Sequence, residues 1–312
     1  MRSVISGWDE IRNDPLHDGN GKILLHEAYT EDEMTSLLLN IDSEKISSNL
    51  GFFSKPFRIN YRGKELIVKL YFPVRNFSIV SSIIDNHKKY IDEMRLIGIK
   101  IPETIILTRK FKKKYQLVII QEPFSNDNLL RNRILVAKSG ELLNLCKLIF
   151  DDTLKFWKNR KDSVNIGFHP TLRNYSLHKE DLYYFDTFPP MLMNQKELNR
   201  IILRMSPFGG WLRKILPNSL INRVSDEYYH LDKMFTGIVG SCCRLRPDDA
   251  GNILAFSKDY VNNSSLLTPT EKKYITRLLL KPPKLSGIWI FIRLISGNTG
   301  KPNISIQHGR DA

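Results

Sequence analysis

The 312-residue sequence has few cysteines and no long apolar run, and these two shortages exclude several classes of protein. No C-x-x-C pair is present, and the three cysteines are Cys146, Cys242 and Cys243. Because adjacent cysteines do not readily bridge each other, neither a disulfide framework nor a zinc site is expected. The most apolar late segment, Leu285 to Ile295, carries Arg293 and is too short to span a bilayer, so we expect a buried helix there. Together with an N-terminus that lacks an apolar run, this composition favours a reducing, cytoplasmic location.

Several common catalytic signatures are also missing. The sequence has no H-E-x-x-H, Walker A or G-x-S-x-G motif, so the usual metalloprotease, P-loop and hydrolase chemistries have no support. Acidic residues number 33 against 47 basic ones, which gives a formal net charge of +14. This balance favours anionic partners such as phosphates, nucleic acid or an acidic membrane surface, and does not choose among them. The tightest basic group, Lys110 with Lys112–Lys114, is predicted to form an exposed turn, where solvated charge alone also explains it.

The first third of the chain predicts a β-rich lobe that contains one long helix. A capping box of Thr30 and Glu33 precedes a short helix over 34–41. A helical spacing of apolar residues runs over 78–97 and ends at Gly98. Strand patterns cover five segments, which are 49–53, 57–61, 65–72, 104–108 and 116–120.

The character of the sequence changes at the polar, proline-containing stretch 122–127, and the rest of the chain is mainly helical. Helices are predicted over four segments, which are 139–158, 195–205, 225–244 and 268–280. We therefore predict an α+β protein of two lobes. Its parts are a β-rich lobe over 1–121 with an extension over 1–46, a hinge over 122–128, a helical lobe over 129–300 and a tail over 301–312.

The segment from Asn165 to Pro190 is the most informative part of the sequence. Two short β-prone runs flank the polar turn Lys179-Glu180-Asp181, which predicts a hairpin. Such a hairpin brings Asn174, before its first strand, close to Asp186, after its second. An amide oxygen and a carboxylate suit Mg²⁺, which takes few protein ligands and completes its shell with water and phosphate. An ordinary hairpin with a polar turn explains the same residues without a metal.

The order of these segments resembles the protein-kinase-like superfamily. A β-rich lobe carries Lys69 on the third of its predicted strands; a helix, two strands, a linker, a long helix and a hairpin ending in an acid follow. The Gly-Ile-x-x-Pro step at Gly98, Ile99 and Pro102 is similar to the aminoglycoside and choline phosphotransferase branch. The resemblance covers roughly residues 47–280 and implies a bilobal fold that binds ATP and Mg²⁺.

The resemblance also implies a role for each matching residue. Lys69 matches the strand lysine that pairs with the nucleotide phosphates, although a strand lysine that points to solvent gives the same pattern. Glu93, or alternatively Asp92, matches the helix acid that holds this lysine. The backbone of the hinge, which contains Gln121, Glu122 and Phe124, is expected to bind the adenine edge. Asn174 and Asp186 match the two metal ligands, the latter in the sequence Asp186-Thr187-Phe188.

Two positions depart from the pattern of this superfamily. Five residues before Asn174, where the superfamily has a catalytic aspartate, this chain has His169. A histidine can accept a proton from a substrate hydroxyl near neutral pH, mark a protein that binds nucleotide without transferring phosphate, or make a structural hydrogen bond. The predicted phosphate-covering loop over 47–54 contains a single glycine, Gly51, although Ser and Asn backbones can also donate to phosphate.

These observations predict a phosphotransferase that moves phosphate from Mg·ATP to a hydroxyl of a small molecule or sugar. In that hypothesis His169, Asn174 and Asp186 are catalytic, and Lys69, Glu93, Gln121, Glu122 and Phe124 contact the nucleotide. A nucleotide-binding or scaffolding module without transfer is one alternative. A basic protein that binds nucleic acid or an anionic membrane surface on the same fold is another. The acceptor, the choice between ATP and GTP, and the oligomeric state are not encoded in a recognisable motif.

Overall fold

The computed structural model describes residues 31–39, 54–61, 64–205 and 227–284. Across these residues it has an α+β architecture with one small antiparallel sheet, a separate hairpin and several helices, which confirms the α+β part of the prediction. The chain divides into two compact units. Unit 1 comprises Met1–Lys89, Pro102–Pro123 and Arg200–Arg213, and unit 2 comprises Tyr90–Ile101, Phe124–Asn199 and Lys214–Ala312.

The sheet of unit 1 has four antiparallel strands in the order β1-β2-β4-β3. Its strands are β1 (Ser54–Tyr61), β2 (Lys64–Tyr71), β3 (Thr104–Phe111) and β4 (Lys114–Gln121). The predicted pairing of the last two strands around a basic turn is confirmed, with Phe111 opposite Lys114. That turn uses Lys112 at a φ of 56°, a conformation in which non-glycine residues are uncommon.

The two faces of the sheet differ, because successive side chains of a strand point to opposite sides. One face carries Leu66, Val68 and Leu70 of β2 in an apolar cluster with Met34 and Leu38 of the short helix α1 (Glu31–Leu39). Lys69 alternates with Val68 and Leu70 and therefore lies on the other face, where it opposes Pro56 of β1 and Ile119 of β4. Its side chain is only 8% exposed, so Lys69 does not point to solvent.

The long helix α2 (Phe77–Ile97) follows the predicted boundaries closely. It ends at Gly98, whose φ of 96° is readily adopted only by glycine. The Ile99 N–H donates to the Met94 carbonyl at 3.0 Å and the Gly98 N–H donates to the Arg95 carbonyl at 2.9 Å. These two bonds form the glycine-terminated helix end that the sequence predicts.

Unit 2 contains most of the helices and the small hairpin. After a 3₁₀ turn over Asn126–Asn128, its elements are α3 (Leu130–Val136), α4 (Ser139–Asn159), a second 3₁₀ turn (Leu172–Asn174), β5 (Tyr175–His178), β6 (Asp181–Tyr184), α6 (Leu231–Leu245), α7 (Ala250–Asn263) and α8 (Pro269–Leu278). The helix α5 (Gln195–Met205) begins in unit 2 and ends in unit 1. The predicted hairpin and the predicted helices at α4, α5 and α8 are confirmed.

Three features of the prediction need correction. Helices α3 and α7 are present where none was predicted, and α6 begins at Leu231 rather than at 225. The residues ahead of α6 form a turn whose Tyr228 carbonyl accepts a hydrogen bond from the Phe168 N–H at 2.7 Å, and this tertiary bond replaces a helical one. The predicted strand over 49–53, the helix over 285–295 and the tail over 301–312 lie outside the described residues, as do Thr30 and Gly51.

Candidate functional site

The segment that leads into the hairpin holds Asn174 in one orientation. The Asn174 Nδ2 group donates to the His169 carbonyl at 3.0 Å, and the Asn174 backbone N–H donates to the Thr171 carbonyl at 2.9 Å. The Thr171 N–H also donates to the His169 carbonyl, at 2.9 Å. Because Nδ2 is committed to the loop, the Oδ1 atom of this buried amide is the atom available for a ligand.

The hairpin brings the backbone just before Asp186 to Asn174. Tyr175 pairs with Tyr184 at the open end of the hairpin. One residue further out, the Phe185 N–H donates to the Asn174 carbonyl at 2.9 Å. This bond joins the residue before Asp186 to Asn174 itself, so the amide and the half-buried carboxylate emerge from the same end of the hairpin.

His169 contributes both its backbone and its ring to this region. Its carbonyl accepts the two hydrogen bonds described above, and its half-buried imidazole lies 4.7 Å, between ring centroids, from the Tyr228 ring. Burial raises the pKa of Tyr228 above its ordinary range, and the charges of Glu227 and Asp186 add to this rise. The Tyr228 phenol therefore stays protonated, and it lies within electrostatic reach of Asp186.

Two further tyrosines, Tyr90 and Tyr184, contact the loop that contains Gly167 and Phe168. The Tyr90 hydroxyl, near the middle of α2, donates to the Gly167 carbonyl at 3.1 Å. Burial raises the pKa of Tyr90 and of Tyr184 well above the ordinary range, and the negative charge of Asp186 contributes to both shifts. Asp186 thus lies within electrostatic reach of a set of neutral phenols.

Lys69 in unit 1 lies close to a buried histidine. His87 of α2 is fully buried, and burial lowers its pKa to about 3, with the positive charge of Lys69 as the second cause. His87 is therefore neutral at physiological pH, and Lys69 lies within electrostatic reach of it. The predicted partner acid, Glu93, lies half-buried two turns further along α2, and Asp92 beside it is exposed.

The predicted hinge residues follow directly from β4. Gln121 is buried, opposes Thr104 in the sheet and donates from its Nε2 to the Thr104 Oγ1 at 2.9 Å. Glu122 is half-buried. The Phe124 ring lies in unit 2, 5.7 Å from the Tyr183 ring and 5.9 Å from the Phe185 ring. Phe124 is thereby placed beside the residue that precedes Asp186.

Sequence reasoning missed several residues that shape these two sites. His87 continues the apolar spacing of Ile83, Tyr90 and Met94 on α2, so the helical period itself indicated that it is buried. Tyr228 carried no comparable signal, because its contact with His169 joins segments about sixty residues apart.

The donor set at the hairpin suits a hard divalent cation. An amide oxygen and a carboxylate are ligands that Mg²⁺ accepts when water and phosphate complete its shell. Across residues 31–39, 54–61, 64–205 and 227–284, no group of three or more His, Cys, Asp or Glu side chains is placed to hold a metal ion. The described residues therefore contain no metal site built from three or more of these side chains.

Comparison with known proteins places the chain in a family. It belongs to a family of unknown function, DUF6206, whose pattern matches residues 35–300. A search of curated proteins finds no match. None of the helices in the described ranges has the length and hydropathy that crossing a membrane requires.

Proposed function

We propose that this protein is a phosphotransferase that moves the terminal phosphate of Mg·ATP to a hydroxyl of a small molecule or sugar, on a bilobal kinase-like fold. The hydrogen bond from the Phe185 N–H to the Asn174 carbonyl carries this proposal. It joins Asn174 to the residue before Asp186, and an amide and an acid are the residue types that hold Mg²⁺ in the phosphotransferases that this chain resembles.

Each residue has a chemical task in this proposal. Asn174 Oδ1 and the Asp186 carboxylate would hold Mg²⁺, which neutralises charge on the phosphates when it is bound. Lys69 would bind the phosphates, and its burial supports this role against that of a solvent-facing strand lysine. His169 would accept the proton of the acceptor hydroxyl as the new O–P bond forms and the bond to the leaving diphosphate breaks.

Nucleotide binding without transfer is a second candidate, and the packing of His169 favours it. The imidazole rests against the Tyr228 ring, an arrangement that also suits a purely structural histidine. In that case the protein would bind Mg·ATP and act through a contact with another protein. The two candidates differ in a single observable, which is the transfer of phosphate.

A test of the nucleotide site is thermal unfolding with and without Mg·ATP. The parent is compared with Lys69→Met and Asp186→Asn, and the matched controls are the exposed residues Lys113→Met and Asp162→Asn. At a hundred times the dissociation constant, binding should stabilise the parent by about 2.7 kcal/mol. We expect a Mg²⁺-dependent rise in Tm that both site variants lose and both controls keep. If the parent shows no rise at any nucleotide concentration, the proposal is wrong.

The variant His169→Ala separates transfer from binding alone. Transfer from radiolabelled ATP to a panel of sugars, amino alcohols and nucleosides is measured for the parent and for this variant. A phosphotransferase that uses His169 as its base should lose about 10²–10⁴-fold in rate on this change, while the rise in Tm with Mg·ATP persists. A parent that binds Mg·ATP and labels no acceptor favours the second candidate.

The lysines at the β3–β4 turn support a proposal about partners. Lys110, Lys112, Lys113 and Lys114 are all exposed at the end of this hairpin. We propose that they contact an anionic surface, either nucleic acid or an acidic membrane. Changing all four to Gln should remove a salt-sensitive association and leave the response to Mg·ATP intact. Association that is unchanged in this variant contradicts this part of the proposal.

A further inference from the structure

Arg131 in helix α3 is a buried cation whose charge is not balanced by any of the described residues. It is 5% exposed, and none of its Nε, Nη1 and Nη2 atoms has a hydrogen-bond acceptor within the described part of the chain. A guanidinium carries five N–H donors and does not lose its proton in proteins. Buried charges are normally paired, because an unpaired one loses its hydration and gains nothing in return.

The arginines near Arg131 show how this region satisfies a guanidinium that has a structural role. Arg246 donates from Nη1 to the carbonyls of Ile134 and Ala137, at 3.0 and 2.6 Å, and from Nη2 to the Asp249 carboxylate at 2.6 Å. Arg133, two residues along the same helix, pairs with Glu141. Among the residues that the structure describes, Arg131 has no equivalent acceptors. Burial lowers the pKa of its guanidinium, and no described carboxylate opposes that shift.

The position of Arg131 is fixed by its helix. Leu130, Arg131 and Ile134 form the buried side of α3. The helix packs within unit 2 against α4, β5 and the 3₁₀ turn that ends at Asn174. An isolated β-bridge between Leu129 and Ser176 and the hydrogen bond from Ser176 Oγ to the Asn128 carbonyl, at 3.1 Å, attach the start of α3 to the hairpin. The guanidinium is therefore held on a rigid element rather than on a loop.

We infer that Arg131 anchors a binding site for an oxyanion, which is a carboxylate or phosphate group of a small-molecule ligand. The planar guanidinium fork matches two oxygens of either group, and such a ligand supplies the acceptors that the protein omits. This inference rests on Arg131 and its surroundings and does not require that the protein transfers phosphate.

The experiment measures the Tm of the full chain against inorganic phosphate in one series and succinate in another, at constant ionic strength. Arg131→Met removes the charge and keeps the bulk, and Arg133→Met is the matched control on the same helix. At a hundred times the dissociation constant, we expect the bound anion to raise the Tm of the parent by roughly 5 °C. Arg131→Met should lose that rise and Arg133→Met should keep it. The series that responds identifies the group as phosphate or carboxylate.

The Tm without any added anion gives a second, independent result. If Arg131 is unpaired in the free protein, Arg131→Met should melt at or above the parent, whereas a structural arginine would make the variant melt lower. A rise with anion that survives in Arg131→Met overturns the inference, and so does an equal loss in both variants. If Arg131→Met does not fold, titration calorimetry of the parent with phosphate and with succinate tests the inference instead. The absence of binding heat with both anions would contradict it. Asp186→Asn should keep the anion response, which separates this site from the proposed nucleotide site.

Discussion

The fully buried His87 predicts a pH dependence of stability that can be worked out in advance. Burial, and secondly Lys69, lowers the pKa of His87 to about 3 in the folded protein, against about 6.5 in an unfolded chain. Above pH 6.5 the imidazole is neutral in both states and contributes no pH dependence. As the pH falls below 6.5, the unfolded state binds a proton that the folded state does not, so stability decreases. The decrease continues until the pH reaches the folded pKa.

The size of this decrease follows from the two pKa values. At pH 5.5 the unfolded state gains about 1.4 kcal/mol relative to the folded state, and at pH 5.0 about 2 kcal/mol. The complete shift, reached only near pH 3, corresponds to about 5 kcal/mol. The accessible window for an experiment is therefore pH 7.5 to 5.0, where a single buried histidine produces a measurable change.

The assay is urea unfolding of the parent and of His87→Gln at several pH values and constant ionic strength. Other titrating groups act in both proteins, so the difference between their free energies of unfolding isolates His87. Between pH 7.5 and 5.5, we expect the free energy of unfolding of the parent to fall by about 1.4 kcal/mol relative to that of His87→Gln. Parallel pH profiles for the parent and His87→Gln would refute the reasoning.

Two further predictions concern the loop before the hairpin and the start of α8. Gly167→Ala should destabilise the protein by about 1–3 kcal/mol in urea unfolding, because the added Cβ would lie 2.9 Å from a ring carbon of Tyr229. The control is Gly237→Ala, whose Cβ would meet nothing within 4 Å, so this change should be neutral or stabilising. Equal effects of the two changes would contradict the close packing at Gly167. Thr268→Ala should cost about 1 kcal/mol and speed hydrogen exchange in the first turn of α8, since Thr268 and Glu271 cap that turn reciprocally. Unchanged exchange there would show that the capping box does not hold the helix start.

Local signals in the sequence were sufficient for the elements that local interactions define. The end of α2 at Gly98 and the start of α8 at Thr268 each depend on residues within one turn, and both were predicted. The hairpin from Tyr175 to Tyr184 was predicted from its two short β-prone runs and the polar turn between them. The backbone bond between Phe185 and Asn174 continues that hairpin by one residue on each strand, so this part of the region was predictable too.

Elements that depend on distant contacts were not predictable in the same way. Helix α3 has seven residues and no side-chain cap at its N-terminus, and Arg246, more than a hundred residues away, binds its last carbonyls. The segment before α6 looked helical, but the Tyr228 carbonyl is used by Phe168 instead. Lys112 and Lys179 adopt positive φ values in the two hairpin turns, although neither sequence contains the glycine or asparagine that usually signals such a turn.

Replacing the side chain of His169 tests the role of the imidazole, because the hydrogen bonds that order the loop use the backbone of this residue. The structural part of this residue is its carbonyl, which accepts hydrogen bonds from Asn174 Nδ2 and from the Thr171 N–H. Any residue at this position supplies the same carbonyl, so replacing the imidazole removes the contact with Tyr228 and leaves the bonds that orient Asn174. A loss of transfer in His169→Ala with nucleotide binding intact would therefore report on the chemistry of the ring rather than on the shape of the loop. The same separation does not exist at Asn174, where one side chain both closes the loop through Nδ2 and offers Oδ1 to a cation.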